Sequence, residues 1–402
     1  MGAVAWIRAW WTGHRTMLLR RAVALMASIA VVWLGYEFWR LLWHSSPIWH
    51  SSPVGGVDLR LRHDEVHRWF GGRPVYTELK TAVYAPASYL ILWPLLGWLE
   101  PTPAAWLWAA TTVVALGWLI HLTVQASGAD TRLDRLFVAM IPLSMYATGA
   151  AIGNGQLIVH LLPVLVAGLL LLQRGQSGWR TDLIAAAMIL VALVKPNVSV
   201  PFLWSVLFVP GRLRPALLVA SGYTGATLFA VSFQESGLLP VLRSWLAGSL
   251  DRAGGGYADL HVWLVRLGME EWVPAATILA LGALGFWTYR HRQGDIWILL
   301  GVTALVARFW AYHRWYDDLL ILLPMVALFR VAKRGPSGMG SDVVAGLLLA
   351  ITILAMVAPG GLYLLPPPWN SLYLAWQTVV LAVVLIFLLM RARREDTVRS
   401  GS

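Results

Sequence analysis

The sequence predicts an all-α polytopic membrane protein that forms a single integral membrane domain over residues 1–402. Of its residues, 58% are hydrophobic and only 13% are charged, whereas about 25% are charged in soluble domains. Apolar runs close to the roughly 20 residues needed to cross a bilayer recur along the chain. Helices are expected because the bilayer interior offers the backbone no other hydrogen-bonding partner.

The first span sets the predicted orientation. Residues 1–21 carry four arginines ahead of an apolar run at about 22–43. Because basic residues favour the cytoplasmic side, the N-terminus is expected there. The run is too long for a cleaved signal peptide, so we expect an uncleaved helix. The interval 44–83 is then a large extracytoplasmic first loop.

The remaining chain predicts a total of about 12 transmembrane helices. Further apolar spans lie at about 84–99, 103–126, 135–151, 156–173, 181–194, 197–209, 214–233, 272–290, 295–308, 316–332, 342–358 and 373–391. Basic clusters between them predict a cytoplasmic tail at 392–402 and a second extracytoplasmic loop at 234–271. The short polar breaks at 153–156, 195–197 and 309–315 fall on the outer side as well. The segment 84–126 should cross an odd number of times, so 84–99 is expected to be short or re-entrant.

Composition also excludes several classes of function. The net charge of +11 would suggest nucleic acid in a soluble protein, but the basic residues cluster at span ends, so no nucleic-acid partner is expected. The absence of cysteine excludes disulfides, thiolate metal sites and cysteine nucleophiles. No phosphate loop, zinc-type histidine spacing or nucleophile elbow is present, and no metal site is expected.

Polar residues in or beside the apolar spans are candidates for function, because such residues are costly in a membrane. Asp58 follows a Pro53-Val54-Gly55-Gly56 turn; alone, it could be a solvated loop carboxylate. The stretch 64–70, DEVHRWF, predicts a short helix on the membrane surface. Tyr84-Ala85-Pro86 could simply begin a helix at the proline.

Three later breaks carry more polar groups. Gly153-Asn154-Gly155-Gln156 either forms a tight turn or brings amides close to a ligand. Lys195 at Lys195-Pro196-Asn197 could offset a phosphate charge or extend to the interface. Residues 308–318, RFWAYHRWYDD, combine charges with aromatic rings and could be an ion-pair network or a sugar site.

In this order, these motifs resemble glycosyltransferase family 87, whose members use polyprenyl-phosphate sugars and include phosphatidylinositol mannoside α-1,2-mannosyltransferases. The resemblance covers about residues 22–335. It rests on Asp58-Leu59-Arg60-Leu61, Gly72-Arg73-Pro74-Val75-Tyr76, Tyr84-Ala85-Pro86, Gly155-Gln156, Lys195-Pro196 and the cluster at 312–324. Mannosyltransferase members can carry Trp-x-His-His where this chain has Trp315-Tyr316-Asp317-Asp318, which leaves the sugar and the acceptor open.

The resemblance implies a GT-C fold and an inverting transferase in which Asp58 is the catalytic base, with Asp64 and Glu65 in reserve. It implies donor phosphate or sugar binding by Lys195, Gln156, Asn154, His313, Arg314, Tyr84 and Arg308. It implies acceptor or sugar binding by Asp317, Asp318, Trp315, Asp64 and His63.

The expected partners are a polyprenyl-phosphate sugar donor, a glycolipid or glycan acceptor and membrane lipids, with no separate cofactor. The expected location is the plasma membrane, with the active site extracytoplasmic. A lipid or sugar transporter of related architecture, or flippase, is the alternative, and a non-catalytic assembly subunit is a third. The polar motifs lie on one side, which favours the enzyme, because a transporter should carry polar groups in both halves.

Overall fold

The computed structural model describes residues 3–43, 55–173, 178–252, 255–256, 258–334, 340–360 and 365–400. The described residues are helical and contain no β-strand, which confirms the predicted all-α class. The first eleven residues of the predicted outer loop, 44–54, lie outside the described part of the chain.

The helices follow the apolar runs but are more often interrupted than the sequence predicts. The α-helices are α1 (Ala3–Trp43), α2 (Val57–Phe70), α3 (Val75–Glu78), α4 (Pro86–Leu96), α5 (Pro101–Ala126), α6 (Arg132–Ser144), α7 (Tyr146–Asn154), α8 (Ile158–Gln173), α9 (Trp179–Ala192), α10 (Pro196–Ser199), α11 (Leu203–Leu207), α12 (Arg214–Val231), α13 (Leu238–Asp251), α14 (Leu260–Arg266), α15 (Val273–His291), α16 (Ile296–Trp310), α17 (Leu322–Lys333), α18 (Ser341–Met356) and α19 (Trp369–Ser400). Short 3-10 helices lie at Val200–Phe202, Glu270–Trp272 and Trp315–Ile321.

Several of the described helices can cross a membrane. Four are long and apolar enough, over Ala9–Trp43, Pro101–Ala126, Glu270–His291 and Trp369–Glu395. The pair α7 and α8, bent by 116°, makes a fifth if it is one broken span. The apolar helices α4, α16 and α18 are shorter, at 10–17 residues. The chain is therefore a membrane protein with four or five span candidates among its described residues, and the total of about 12 stays a prediction.

Proline explains why one predicted span is fragmented. The run 197–209 was expected to be a single helix, but it consists of α10, a 3-10 turn and α11. Pro201 lies inside this run and lacks a backbone N–H, so it cannot donate the hydrogen bond that a continuous α-helix would need there. The helix α4 extends over only 11 residues, which agrees with the expectation that 84–99 is short.

The core forms where the broken helices meet. The helix α7 packs between α1 and the 3-10 helix at Trp315–Ile321, and α16 packs against α17 and α19. Leu162, Leu300 and Leu320 are fully buried there. Conversely, Val31 of α1 and Val114 of α5 are more than 70% exposed. Such apolar outer faces suit helices surrounded by lipid.

The helix predicted at 64–70 is present as the second half of α2, but its apolar face is part of the core. Val66 and Trp69 are fully buried, and the Trp69 indole donates to the Ala230 carbonyl at 2.9 Å. The helix packs against α4. It is therefore fixed to the protein on its apolar side, and this holds the N-terminal turn with Asp58 in place.

Candidate functional site

The structure brings the predicted polar breaks together into one buried cluster. Gln156 lies in the break between α7 and α8, Lys195 lies directly before α10, and Asp317 lies in the 3-10 helix at Trp315–Ile321. The Lys195 ammonium donates to Gln156 Oε1 at 3.2 Å and forms an ion pair with Asp317 Oδ1. Three breaks far apart in sequence thus converge on one lysine.

Lys195 is placed at this point because the helix breaks there. Pro196 starts α10 and leaves Lys195 in a non-helical conformation. The side chain is only 8% exposed, and its Nζ lies 4.8 Å from the centre of the Tyr316 ring. An ammonium has three N–H donors. Two of them have partners among the described residues, in Gln156 and Asp317, so the third can serve a ligand.

The neighbouring carboxylate, Asp318, forms a second network. Its Oδ1 lies 2.5 Å from Arg308 Nε and 3.0 Å from His313 Nε2, and its Oδ2 accepts from the Tyr146 hydroxyl. Asp318 and Arg308 are almost completely buried, at 2% exposure each. Adjacent aspartates therefore take different cations, Lys195 for one and Arg308 for the other. Neither aspartate is free to act as a base without losing an ion pair.

Two other predicted residues support this cluster from its edge. Arg314 donates through its guanidinium to the Gly255 carbonyl at 3.2 Å, and its backbone N–H points to Asp317 Oδ2 at 3.4 Å. The indole of Trp315 stacks on the Tyr146 ring with 6.4 Å between centres. An aromatic face and a guanidinium thus lie beside the buried ion pairs.

Asp58 differs from the carboxylates of this cluster, because the described residues offer it no hydrogen bond or ion pair. It lies in the first turn of α2 and is partly exposed. It lies near enough to Arg62, Tyr84 and Tyr316 to interact with them electrostatically. Because Tyr316 also contacts Lys195, Asp58 belongs to the same polar region as the buried lysine.

A backbone contact holds Asp58 there. The Gly56 N–H donates to the Gly153 carbonyl at 2.8 Å, which joins the start of α2 to the end of α7. A Cβ on Gly155 would lie 2.5 Å from Leu59 Cβ, and Gly155 has a φ of +71°. Only glycine allows both the left-handed conformation and this close approach. The glycines of the 153–156 turn therefore have a structural reason as well as a position beside Lys195.

The Asn154 side chain faces α1. Its Oδ1 accepts from Arg40 at 3.1 Å, and Arg40 pairs with Glu37 at 2.7 Å. A Cβ on Gly153 would come within 1.8 Å of Glu37. Asn154 is thus at the edge of the cluster and is held by an ion pair that we did not predict. Glu37 inside an apolar run was the available sequence signal.

The structure also adds Gln377 and Asp259, which the sequence analysis missed. Gln377 of α19 donates to the Tyr146 hydroxyl at 3.3 Å. Asp259 caps α14 through the Val262 N–H at 3.0 Å and accepts from the His313 N–H at 3.2 Å. A glutamine within the last apolar run was a usable signal for Gln377. Nothing in the sequence around Asp259 indicates its partner.

Two predicted residues of the outer loop lie away from this cluster. Asp64 pairs with Arg68 Nε at 2.9 Å, and His63 Nε2 lies 2.7 Å from the Leu99 carbonyl. Both are on a different side of α2 from Asp58, since residues five and six positions apart do not share a helix face. The structure does not bring them to Lys195.

Arg62 and Glu65 do share the face of Asp58. Arg62 Nη1 lies 2.6 Å from Glu65 Oε2, and the Arg62 guanidinium lies over the Tyr84 ring at 4.3 Å. Burial raises the pKa of Glu65 to about 7, although the charge of Arg62 opposes the shift. The side chains of Arg62, Glu65 and Tyr84 therefore form a buried layer that supports the helix turn carrying Asp58.

The pKa of His313, the histidine in the cluster, is lowered from its usual value. Burial lowers the pKa of His313, and the nearby Arg308 charge lowers it further. Burial also raises the pKa of Asp259. Among the residues that the structure describes, no group of three histidine or acidic side chains is arranged to hold a metal ion.

Comparison with known protein families places the chain beside one of them. The model for glycosyltransferase family 87 matches residues 82–319, more than half of the chain. The matched range includes Tyr84, Gln156, Lys195 and Asp317, whereas Asp58 precedes it. No curated protein and no solved structure matches the chain.

Proposed function

This chain belongs to glycosyltransferase family 87, and from this premise we propose that it is an inverting transferase using a polyprenyl-phosphate sugar. The proposed acceptor is a lipid-linked or glycan hydroxyl, and mannose is the first candidate for the sugar. The reaction takes place at the outer face of the plasma membrane. The observation that carries the proposal is that Asp58, which has no hydrogen bond or ion pair among the described residues, acts electrostatically on Tyr316, the ring that the buried Lys195 ammonium contacts.

Asp58 is the proposed general base. As the acceptor oxygen attacks the anomeric carbon, its proton passes to the Asp58 carboxylate, and the bond from that carbon to the phosphate oxygen breaks. A single displacement of this kind inverts the anomeric configuration and needs no covalent intermediate. Asp317 and Asp318 are less suited to this role because each is held by a buried cation.

Lys195 is the proposed partner of the leaving phosphate. The electron pair of the broken bond ends on phosphate oxygen, so a cation held in place lowers the energy of the transition state. Gln156 and Asp317 fix the ammonium before the donor arrives. Tyr84 and Asn154 are proposed to line the donor side of the site.

The cations at the other side of the cluster have supporting roles. Arg308 is held by Asp318, so we propose that it neutralises this carboxylate near the donor phosphate and that His313 completes the network as a hydrogen-bonding partner. Arg314 and the Trp315 ring lie at the edge, where a guanidinium can bind a phosphate or hydroxyl and an aromatic face can stack on a sugar.

The polarity of α1 supports the outer location. Arg15, Arg20 and Arg21 lie toward one end of this helix, and Glu37 and Arg40 contact the 153–156 turn at the other end. Because basic residues favour the cytoplasmic side, this polarity supports the proposal that the candidate site lies on the opposite side.

The experiment that tests the donor class compares three labelled donors in membranes containing the chain. These are polyprenyl-phosphate mannose, polyprenyl-phosphate arabinose and a nucleotide-linked mannose. Label transferred to lipid or glycan acceptors from a polyprenyl-phosphate sugar supports the proposal. Transfer from the nucleotide sugar alone, in membranes lacking polyprenyl phosphate, would contradict it.

A further inference from the structure

Tyr316 lies in the candidate site without a role in the reaction proposed above. It is the second residue of the 3-10 helix Trp315–Ile321. Residues three positions apart in such a helix share one face, and Trp315 and Asp318 accordingly both contact Tyr146. Tyr316 therefore lies on another face of this helix.

That other face is turned toward the charged groups of the site. The centre of the Tyr316 ring lies 4.8 Å from the Lys195 ammonium nitrogen. Tyr316 is partly buried, and among the charges that act on it the Asp58 carboxylate has the largest effect, followed by the Asp317 carboxylate. Tyr316 thus adjoins both the proposed base and the proposed phosphate-binding cation.

The ring explains the contact with the cation, but it does not explain the hydroxyl group. Among the described residues, none forms a hydrogen bond with the Tyr316 hydroxyl. By contrast, the hydroxyls of Tyr146 and Tyr373 each donate to a protein oxygen. Tyrosine hydroxyls in largely buried places usually have a hydrogen-bonding partner. The Tyr316 hydroxyl is therefore available to a substrate.

The proposed reaction puts the sugar between Asp58 and Lys195. Asp58 takes the proton of the acceptor oxygen on one face of the anomeric carbon, and Lys195 binds the phosphate that leaves from the other face. A side chain that adjoins both groups borders the atoms next to the anomeric carbon, among them carbon 2 with its hydroxyl. Hydrogen bonds to the 2-hydroxyl of a sugar strengthen in the transition state of glycosyl transfer to water.

We propose that the Tyr316 hydroxyl forms a hydrogen bond with the 2-hydroxyl of the transferred sugar and makes the site selective for donors that carry this group. The inference rests on the proposed function, because Asp58 and Lys195 define where the sugar lies. The phenolic oxygen can both donate and accept a hydrogen bond, as a sugar hydroxyl can. Loss of one such bond lowers kcat/KM about tenfold.

The test combines a change in the protein with a change in the donor. Sugar transfer by the wild type and by Tyr316→Phe is measured with the polyprenyl-phosphate sugar that the wild type uses. The same measurement is made with its 2-deoxy form and with a form that lacks the hydroxyl farthest from the anomeric carbon. We expect Tyr316→Phe to lower kcat/KM about tenfold for the first and third donors. It should cause no further loss with the 2-deoxy donor, because the partner of the hydroxyl is already absent.

The matched control is Tyr289→Phe in α15, outside the candidate site. The Tyr289 ring also contacts a cation, since the Arg292 guanidinium lies 4.1 Å from its centre. This variant should transfer sugar from all three donors at the wild-type rates. Tyr316→Phe should unfold at the wild-type temperature, because it removes a hydroxyl that has no hydrogen bond within the described part of the chain.

Three results would overturn the inference. Equal losses with the 2-deoxy donor and the complete donor would rule out contact with the 2-hydroxyl. Unchanged transfer by Tyr316→Phe would rule out sugar binding by its hydroxyl. A lower unfolding temperature with equal losses for all three donors would assign the hydroxyl to the fold. Failure of the proposed function is a different result, in which the wild type itself transfers from no polyprenyl-phosphate sugar, and it would overturn both proposals.

Discussion

Replacing Lys195 by glutamine removes the charge proposed to stabilise the leaving phosphate. In the structure, the ammonium is 8% exposed and its partner Asp317 is fully buried. The variant would leave the Asp317 carboxylate without a cation and with a weak 3.4 Å contact to the Arg314 N–H. Breaking a buried pair on one side costs about 3 to 5 kcal/mol of folding stability, so the variant should unfold at a lower temperature.

The same change should reduce catalysis through a separate effect. Removing one fixed donor from a developing negative charge costs a factor of about 10² to 10³ in kcat. Lys195→Arg keeps the charge and should keep part of the activity. Its planar group cannot occupy the same position between Gln156 and Asp317, so full activity is not expected.

A double variant separates these two effects. Lys195→Gln combined with Asp317→Asn leaves no unpaired buried charge, so the unfolding temperature should recover much of its loss. Sugar transfer should stay low because the phosphate still lacks its cation. Arg214→Gln is the control, since Arg214 pairs with Asp182 at 3.2 Å far from the cluster and Asp182 keeps Arg212. Transfer restored to the wild-type rate in the double variant would show that Lys195 serves stability alone.

Three further predictions concern the support of the site. The pKa of Glu65 is raised from 4.5 to about 7 by burial, so the folded state binds a proton that the unfolded state has lost, and stability should fall as the pH rises from 4.5 to 7. Glu65→Gln should remove this slope in thermal unfolding scans; an unchanged slope would contradict it. Gly155→Ala would force a positive φ on alanine and a 2.5 Å contact with Leu59, costing about 1 to 3 kcal/mol; unchanged thermal stability would contradict the close approach. Tyr146→Phe removes a hydroxyl that donates to Asp318 and should cost about 1 to 3 kcal/mol in the same assay, whereas Tyr373→Phe, which loses a hydrogen bond to a neutral carbonyl, should cost less.

The sequence predicted the composition of the cluster better than its pairings. The breaks at Gly153–Gln156 and Lys195–Asn197 stood out because glycine, proline and polar residues interrupt apolar runs, and the structure brings them together. Which cation pairs with Asp317 and which with Asp318 depends on how α10 and α16 pack. That information is tertiary, so no local pattern could give it.

The helix count and the predicted outer loop show a second limit of prediction from the sequence. Hydropathy marks apolar runs, but it did not show that the run 197–209 is divided at Pro201, or that α7 and α8 meet at an angle of 116°. The amphipathic pattern at 64–70 predicted a helix correctly. It could not distinguish packing against α4 from contact with lipid, because both partners are apolar.

The central claim is tested most directly by sugar transfer with Asp58→Asn beside the wild type, at matched expression and matched thermal stability. Asparagine keeps the shape of the side chain but cannot accept the proton of the acceptor hydroxyl. The account predicts that transfer from the polyprenyl-phosphate sugar falls by a factor of about 10² to 10⁴, the contribution of a general base. Transfer that persists at the wild-type rate would contradict the assignment and move the base to Asp64, Glu65 or the Asp317–Asp318 pair.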